Sequence, residues 1–132
     1  MSWFAKNLPR FVFGGSTNDT FDLLHAGDAG CLDVFILSMP SFVWFKAGTT
    51  TQVRRANHFC QVIGQGQMLV IGGHNPAPEG FLDGVDPWTR GMNIFDMNSL
   101  NWTGAYNPGI IYDRPPVVQQ YYTNRYISVY IF

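Results

Sequence analysis

The sequence predicts an all-β fold, on three observations. It repeats itself at an offset of 58 residues, so that Gly14-Gly15 falls on Gly72-Gly73 and Trp44 on Trp102. Its β-branched and aromatic residues gather in short runs bounded by Gly, Pro, Asn and Asp, which is strand-and-turn chemistry. No stretch carries apolar residues at a helical period. Between the anchors of the repeat Ile36 meets Ile94, Met39 meets Met97 and Ser41 meets Ser99 without a gap, and Phe11-Val12-Phe13 falls on Leu69-Val70-Ile71. The repeat takes precedence over local signals because it defines the unit that folds.

The second repeat is the clearer one. Phe59-Cys60-Gln61-Val62-Ile63 reads as a strand, and Gly64-Gln65-Gly66-Gln67 as a hairpin turn with glycine where positive φ is needed. Met68-Leu69-Val70-Ile71 is nearly continuous in apolar residues, as expected of a strand buried on both faces. Gly72-Gly73 is expected to end it. Residues 74–91, rich in Pro, Gly and Asp, form a long loop. Met92-Asn93-Ile94-Phe95-Asp96 is a third strand, Asn98-Ser99 a turn, and Leu100-Asn101-Trp102-Thr103 a fourth strand. The first repeat divides likewise into strands at 2–5, 10–13, 33–38 and 42–45, with Pro40-Ser41 in the last turn. The segment 126–132, Tyr-Ile-Ser-Val-Tyr-Ile-Phe, has strand composition and no closing turn.

Four-stranded antiparallel units with Gly-Gly after the second strand and Trp in the fourth resemble the kelch repeat, whose units are β-propeller blades with a period of about 50 residues. The residues that carry the resemblance are Val70-Ile71-Gly72-Gly73, Ile94-Phe95-Asp96 and Trp102, and in the first repeat Val12-Phe13-Gly14-Gly15, Phe35-Ile36-Leu37 and Trp44. Ser38 stands where the second repeat has Asp96. The stretches 32–44, 58–73 and 116–122 are most similar to kelch proteins of fungi, many of them secreted or held at the cell surface. The resemblance implies two blades of an incomplete propeller: residues 1–46, residues 47–110, and a tail over 111–132 with a possible strand of a further blade. It further implies a module that presents loops to a protein partner. The alternative it leaves open is a remnant of a secreted propeller enzyme or carbohydrate-binding protein of galactose-oxidase-like architecture. A propeller has four to eight blades, so the chain is expected to be a fragment or truncated product of a longer propeller, or to self-associate.

Composition narrows the function. The 132 residues are 46% hydrophobic and only 13% charged, which excludes a disordered chain. With eight Lys/Arg against nine Asp/Glu, and Arg54-Arg55 as the one adjacent basic pair, no basic surface for nucleic acid is expected. No run approaches the roughly 18 apolar residues of a membrane helix, and the first residues do not read as a secretory signal. Neither Cys31 nor Cys60 has metal-ligand spacing with a histidine. They could pair across a blade interface or remain free thiols.

Candidate residues follow from these elements. Gly14, Gly15, Gly72 and Gly73 lack the following helix and lysine of a phosphate loop, so they read as packing glycines. Trp44 and Trp102 read as blade-packing residues, and Asp96 as a hydrogen-bond acceptor for the turn before the fourth strand. His25, His58 and His74 are too far apart in sequence to suggest ligands, and His58 reads as a buried hydrogen-bonding residue. Among Asp28, Asp33, Asp83, Asp86 and Asp96 no pair suggests glycosidase chemistry. No catalytic residue, metal site or cofactor is expected. Asn18 and Asn101 fit the N-glycosylation pattern, the first in a loop and the second in a packed strand. The binding residues expected are Trp88, Arg90 and Asp86. They sit in the loop 76–90, which is too long for a plain hairpin connection. An exposed Trp beside Arg is the residue type that dominates binding energy.

Overall fold

A computed structural model of the chain describes residues 9–14, 32–51, 53–74 and 85–129. The expected strand at 2–5, together with Gly15, Asn18, His25, Asp28, Cys31, Asp83 and most of the loop 76–90, lies outside the described residues.

Among the described residues seven strands form two antiparallel sheets. The first contains β1 (Arg10–Phe13), β2 (Asp33–Ser38) and β3 (Val43–Thr50), in that spatial order. The second contains β4 (Ala56–Ile63), β5 (Gln67–His74), β6 (Met92–Asp96) and β7 (Asn101–Trp102), also in sequence order. Every strand therefore pairs with its neighbour in the chain, the topology of a meander.

The repeat is present in the hydrogen-bond register itself. In the first sheet Arg10, Phe11, Val12 and Phe13 face Leu37, Ile36, Phe35 and Val34. In the second, Met68, Leu69, Val70 and Ile71 face Phe95, Ile94, Asn93 and Met92. Each pair maps onto its counterpart at the sequence offset. The next ladder agrees, with Leu37 opposite Trp44 and Phe95 opposite Trp102. Backbone irregularities recur as well. Gly14 and Gly72 have φ of 69° and 70°, and Phe42 and Leu100 have φ of 54° and 58°. Leu100 and Phe42 close the turn before the last strand of each sheet, in a left-handed conformation that costs energy for a bulky residue.

Three expectations need correction. Gly72 and Gly73 do not end their strand, because β5 continues to His74 through pairing with β4. The glycines end only the ladder with β6, whose last pair is Ile71 with Met92. Positive φ at Gly72, Gly73 and Asn57 lets the two chains remain paired around an irregularity. Second, β3 does not end at Phe45 but extends to Thr50. Third, the tail is helical: α1 (Pro116–Val129) takes in the first residues of the segment read as a strand. Pro116 opens the helix, where the missing N–H costs nothing, and the Pro115 carbonyl accepts from the amides of Val118 and Gln119.

Alternation sets the core. Phe11, Phe13, Val34 and Ile36 turn inward from the first sheet and meet Met68, Val70 and Phe95 of the second. α1 covers the rest of that inner face. Val118 is fully buried, Tyr121 lies edge-on to Phe45, and the Tyr122 hydroxyl is 2.9 Å from Ser38 Oγ and donates to the Met39 carbonyl at 3.2 Å.

Candidate functional site at the sheet junction

Aromatic rings join the two sheets. Phe13 lies T-shaped to Trp102 at 4.9 Å and near-parallel to Trp88 at 6.1 Å, and Trp88 and Trp102 are 5.3 Å apart. Phe95 completes the group, edge-on to Trp102 at 5.2 Å. Trp102 thus packs against Phe13 of the first sheet and Phe95 of its own, with its indole N–H buried without an acceptor among the described residues. Trp44, its counterpart in the repeat, is 55% exposed, which corrects the expectation that both pack between blades.

Glycine sets how closely the sheets approach. A Cβ on Gly14 would stand 2.5 Å from His58 Cε1 and 2.6 Å from the Arg55 carbonyl. His58 Nε2 is 3.0 Å from the Phe13 carbonyl, and its ring is 5.0 Å from that of Phe13. Burial lowers the His58 pKa, the Phe13 carbonyl opposes this, and the Arg55 charge lowers it further. The neutral ring therefore donates from Nε2, while Nδ1 is buried with no partner. This is the hydrogen-bonding role expected of His58. A Cβ on Gly73 would likewise stand 2.5 Å from the Ala56 carbonyl.

The end of the long loop is clasped onto this junction. Arg55, a buried side chain, donates to both carboxylate oxygens of Asp86 at 2.6 and 3.1 Å and to the Gly72 carbonyl at 2.7 Å. Its guanidinium lies 3.9 Å over the Trp88 ring. Asp86 also accepts the Trp88 backbone N–H at 2.9 Å. The hydrogen bonds from Arg55 hold the Asp86 carboxyl below the usual carboxylate range, against a smaller opposing effect of desolvation. Trp88 is only 6% exposed, so the expectation of an exposed loop aromatic is corrected: it folds back onto its own sheet. Arg90, Pro87 and Val85 remain exposed on the same segment.

The remaining candidates are accounted for locally. Asp96 accepts from the amides of Asn98 and Ser99, at 2.8 and 3.3 Å, and so builds the turn before β7. Asp33 is buried and paired with Lys46 at 2.7 Å. Cys60 is an exposed free thiol whose pKa is raised by desolvation. Asn101 is exposed on β7 rather than packed. Among the described residues no three His, Cys, Asp or Glu side chains gather as a metal site, and no helix is long and apolar enough to cross a membrane.

Arg55 was missed by sequence reasoning. Its only local signal was an adjacent basic pair, and its partner Asp86 lies 31 residues away. No family model, curated protein or solved structure matches the chain.

Proposed function

We propose that the chain is a pair of kelch-type β-propeller blades, part of an incomplete propeller, and that it works as a protein-interaction module. The coincidence of register between the two sheets carries this reading. Unrelated strands would have no reason to share pair-by-pair ladders, turn conformations and a tryptophan position at one offset. The ladders Phe13 with Val34 and Ile71 with Met92 close at equivalent ends. The two long connections therefore start from the same end of their units, where loops from successive blades could be read together by a partner.

Within this reading the expected binding residues divide. Asp86 and Trp88 anchor the loop, while Arg90 and Val85 are free to touch a partner. Anchoring favours binding because the segment loses less conformational entropy on contact. The test is capture of proteins from a cell extract by the tagged chain and by a Val85→Asp, Arg90→Ala double variant. These two side chains are exposed, so the fold should persist, with an unchanged urea midpoint. Loss of a specific captured protein supports the reading; equal capture by both chains removes this loop as the contact.

A further inference from the structure

Among the described residues the chain makes one sheet-on-sheet interface and leaves the two halves of an equivalent interface without a covering sheet. In the internal contact the first sheet contributes Phe11, Phe13, Val34 and Ile36. At the repeat offset these correspond to Leu69, Ile71, Met92 and Ile94 of the second sheet. Those four residues lie on its opposite face, since strand residues alternate; Ile94 is buried there and Leu69 half-buried, which leaves Ile71 and Met92 as the open part. Ile71 and Met92 are a cross-strand pair, each 38% exposed, and Phe59 opposite Ile71 is 61% exposed. Thus Phe59, Ile71 and Met92 form an apolar row across β4, β5 and β6 that no described element covers.

The reciprocal half shows the same relation. The second sheet receives the first through Val70, Phe95 and Trp102. Their counterparts are Val12, Leu37 and Trp44, on the outer face of the first sheet. Val12 is 44% exposed, whereas Val70 is fully buried. This explains why two tryptophans at one repeat position have opposite environments. Trp102 has a preceding sheet whose Phe13 packs against it, and Trp44 has none among the described residues.

We propose that a second copy of this chain covers these faces head to tail, with Val12, Leu37 and Trp44 of one copy seated on Ile71, Met92 and Phe59 of the next. The occupant is argued from continuity with the interface already present: each open face is the repeat counterpart of a surface that the chain itself recognises. None of these six residues is charged; Arg10, the cross-strand partner of Leu37 and the repeat counterpart of Met68, lies on the same face of the first sheet, so its charge has to stay at the rim of the contact or find a partner there. The contact is heterologous, which closes into a ring or extends as a filament depending on the rotation per copy. It rests on the repeat reading given above and not on the loop contact.

The test is the mass of the full chain by sedimentation velocity over a concentration series, with Trp44→Glu and Met92→Glu variants. The parent should sediment above monomer mass. Each variant alone should shift association to concentrations about tenfold or more higher, about 1.4 kcal/mol per tenfold. An equimolar mixture of the two should recover a dimer, because each variant retains the face that the other has lost. If Trp44→Glu loses its folded circular dichroism, Val12→Glu replaces it. A monomeric parent at tens of micromolar, assembly indifferent to both variants, or failure of the mixture to recover the dimer would each overturn the proposal. Capture of another protein by residues 85–90 has no bearing on these outcomes, so the two readings can fail separately.

Discussion

Arg55 carries its charge into the junction with a side chain only 3% exposed, and the Asp86 carboxylate, the Gly72 carbonyl and the face of Trp88 answer it. Removing one partner of a buried pair costs more than the pair is worth, because the other charge is left desolvated. Asp86→Ala should therefore destabilise the chain by about 2–3 kcal/mol, while Arg55→Met combined with Asp86→Ala should recover part of that loss. Urea unfolding of the three chains checks the order. The Asp86 carboxyl titrates below its unfolded value. Its contribution is present above the unfolded pKa and is lost as pH falls through the lowered one. None of this was legible in the sequence. A salt bridge between positions 31 apart leaves no local pattern, whereas Asp96, which acts on amides two and three residues away, was legible for the opposite reason.

Strands were the most legible elements, because alternation and the repeat each constrain them independently. Arg10–Phe13, Asp33–Ser38 and Met92–Asp96 occur with the expected bounds; pairing lengthens β3, β4 and β5, and β7 is shorter than the expected 100–103. The helix was not legible. Val117, Val118, Tyr121 and Tyr122 recur at i, i+1, i+4 and i+5, but β-branched and aromatic composition argued for a strand. Tertiary contact overrides that preference, since α1 gains its stability by docking on β2 and β3. Tyr122 is the polar part of this dock, and its hydroxyl satisfies the buried Ser38 Oγ. Tyr122→Phe should cost about 1–2 kcal/mol by stranding that hydroxyl. A thermal melt followed at 222 nm would record a lowered midpoint with the helical signal retained before the transition.

At the scale of the whole molecule, the two sheets meet through groups whose positions in sequence carried half of the information. The repeat indicated which residues are equivalent, but not which faces are covered, so Trp44 and Trp102 read alike and differ in the fold. His58 sits where coverage matters. It donates to Phe13 of the other sheet, its other ring nitrogen is buried and makes no hydrogen bond among the described residues, and the Arg55 charge opposes its protonation. Protonation would place a second cation in the junction beside Arg55. Burial holds the folded pKa below the ordinary 6.5, so as pH falls the unfolded chain takes up the proton first. The contribution of His58 is then complete above the unfolded value and is lost as pH falls from there through the lowered folded one. The comparison that isolates His58 is His58→Gln, which keeps a donor for the Phe13 carbonyl and does not titrate. Stability of the parent, read from the fluorescence of Trp88 and Trp102 in urea at pH 7.5 and at lower pH values, should fall more steeply with acid than that of the variant. Parallel curves would mean that His58 takes up a proton as readily in the folded chain as in the unfolded one, and the junction would then be held by its aromatic rings and the Arg55 clasp without a contribution from the neutral imidazole.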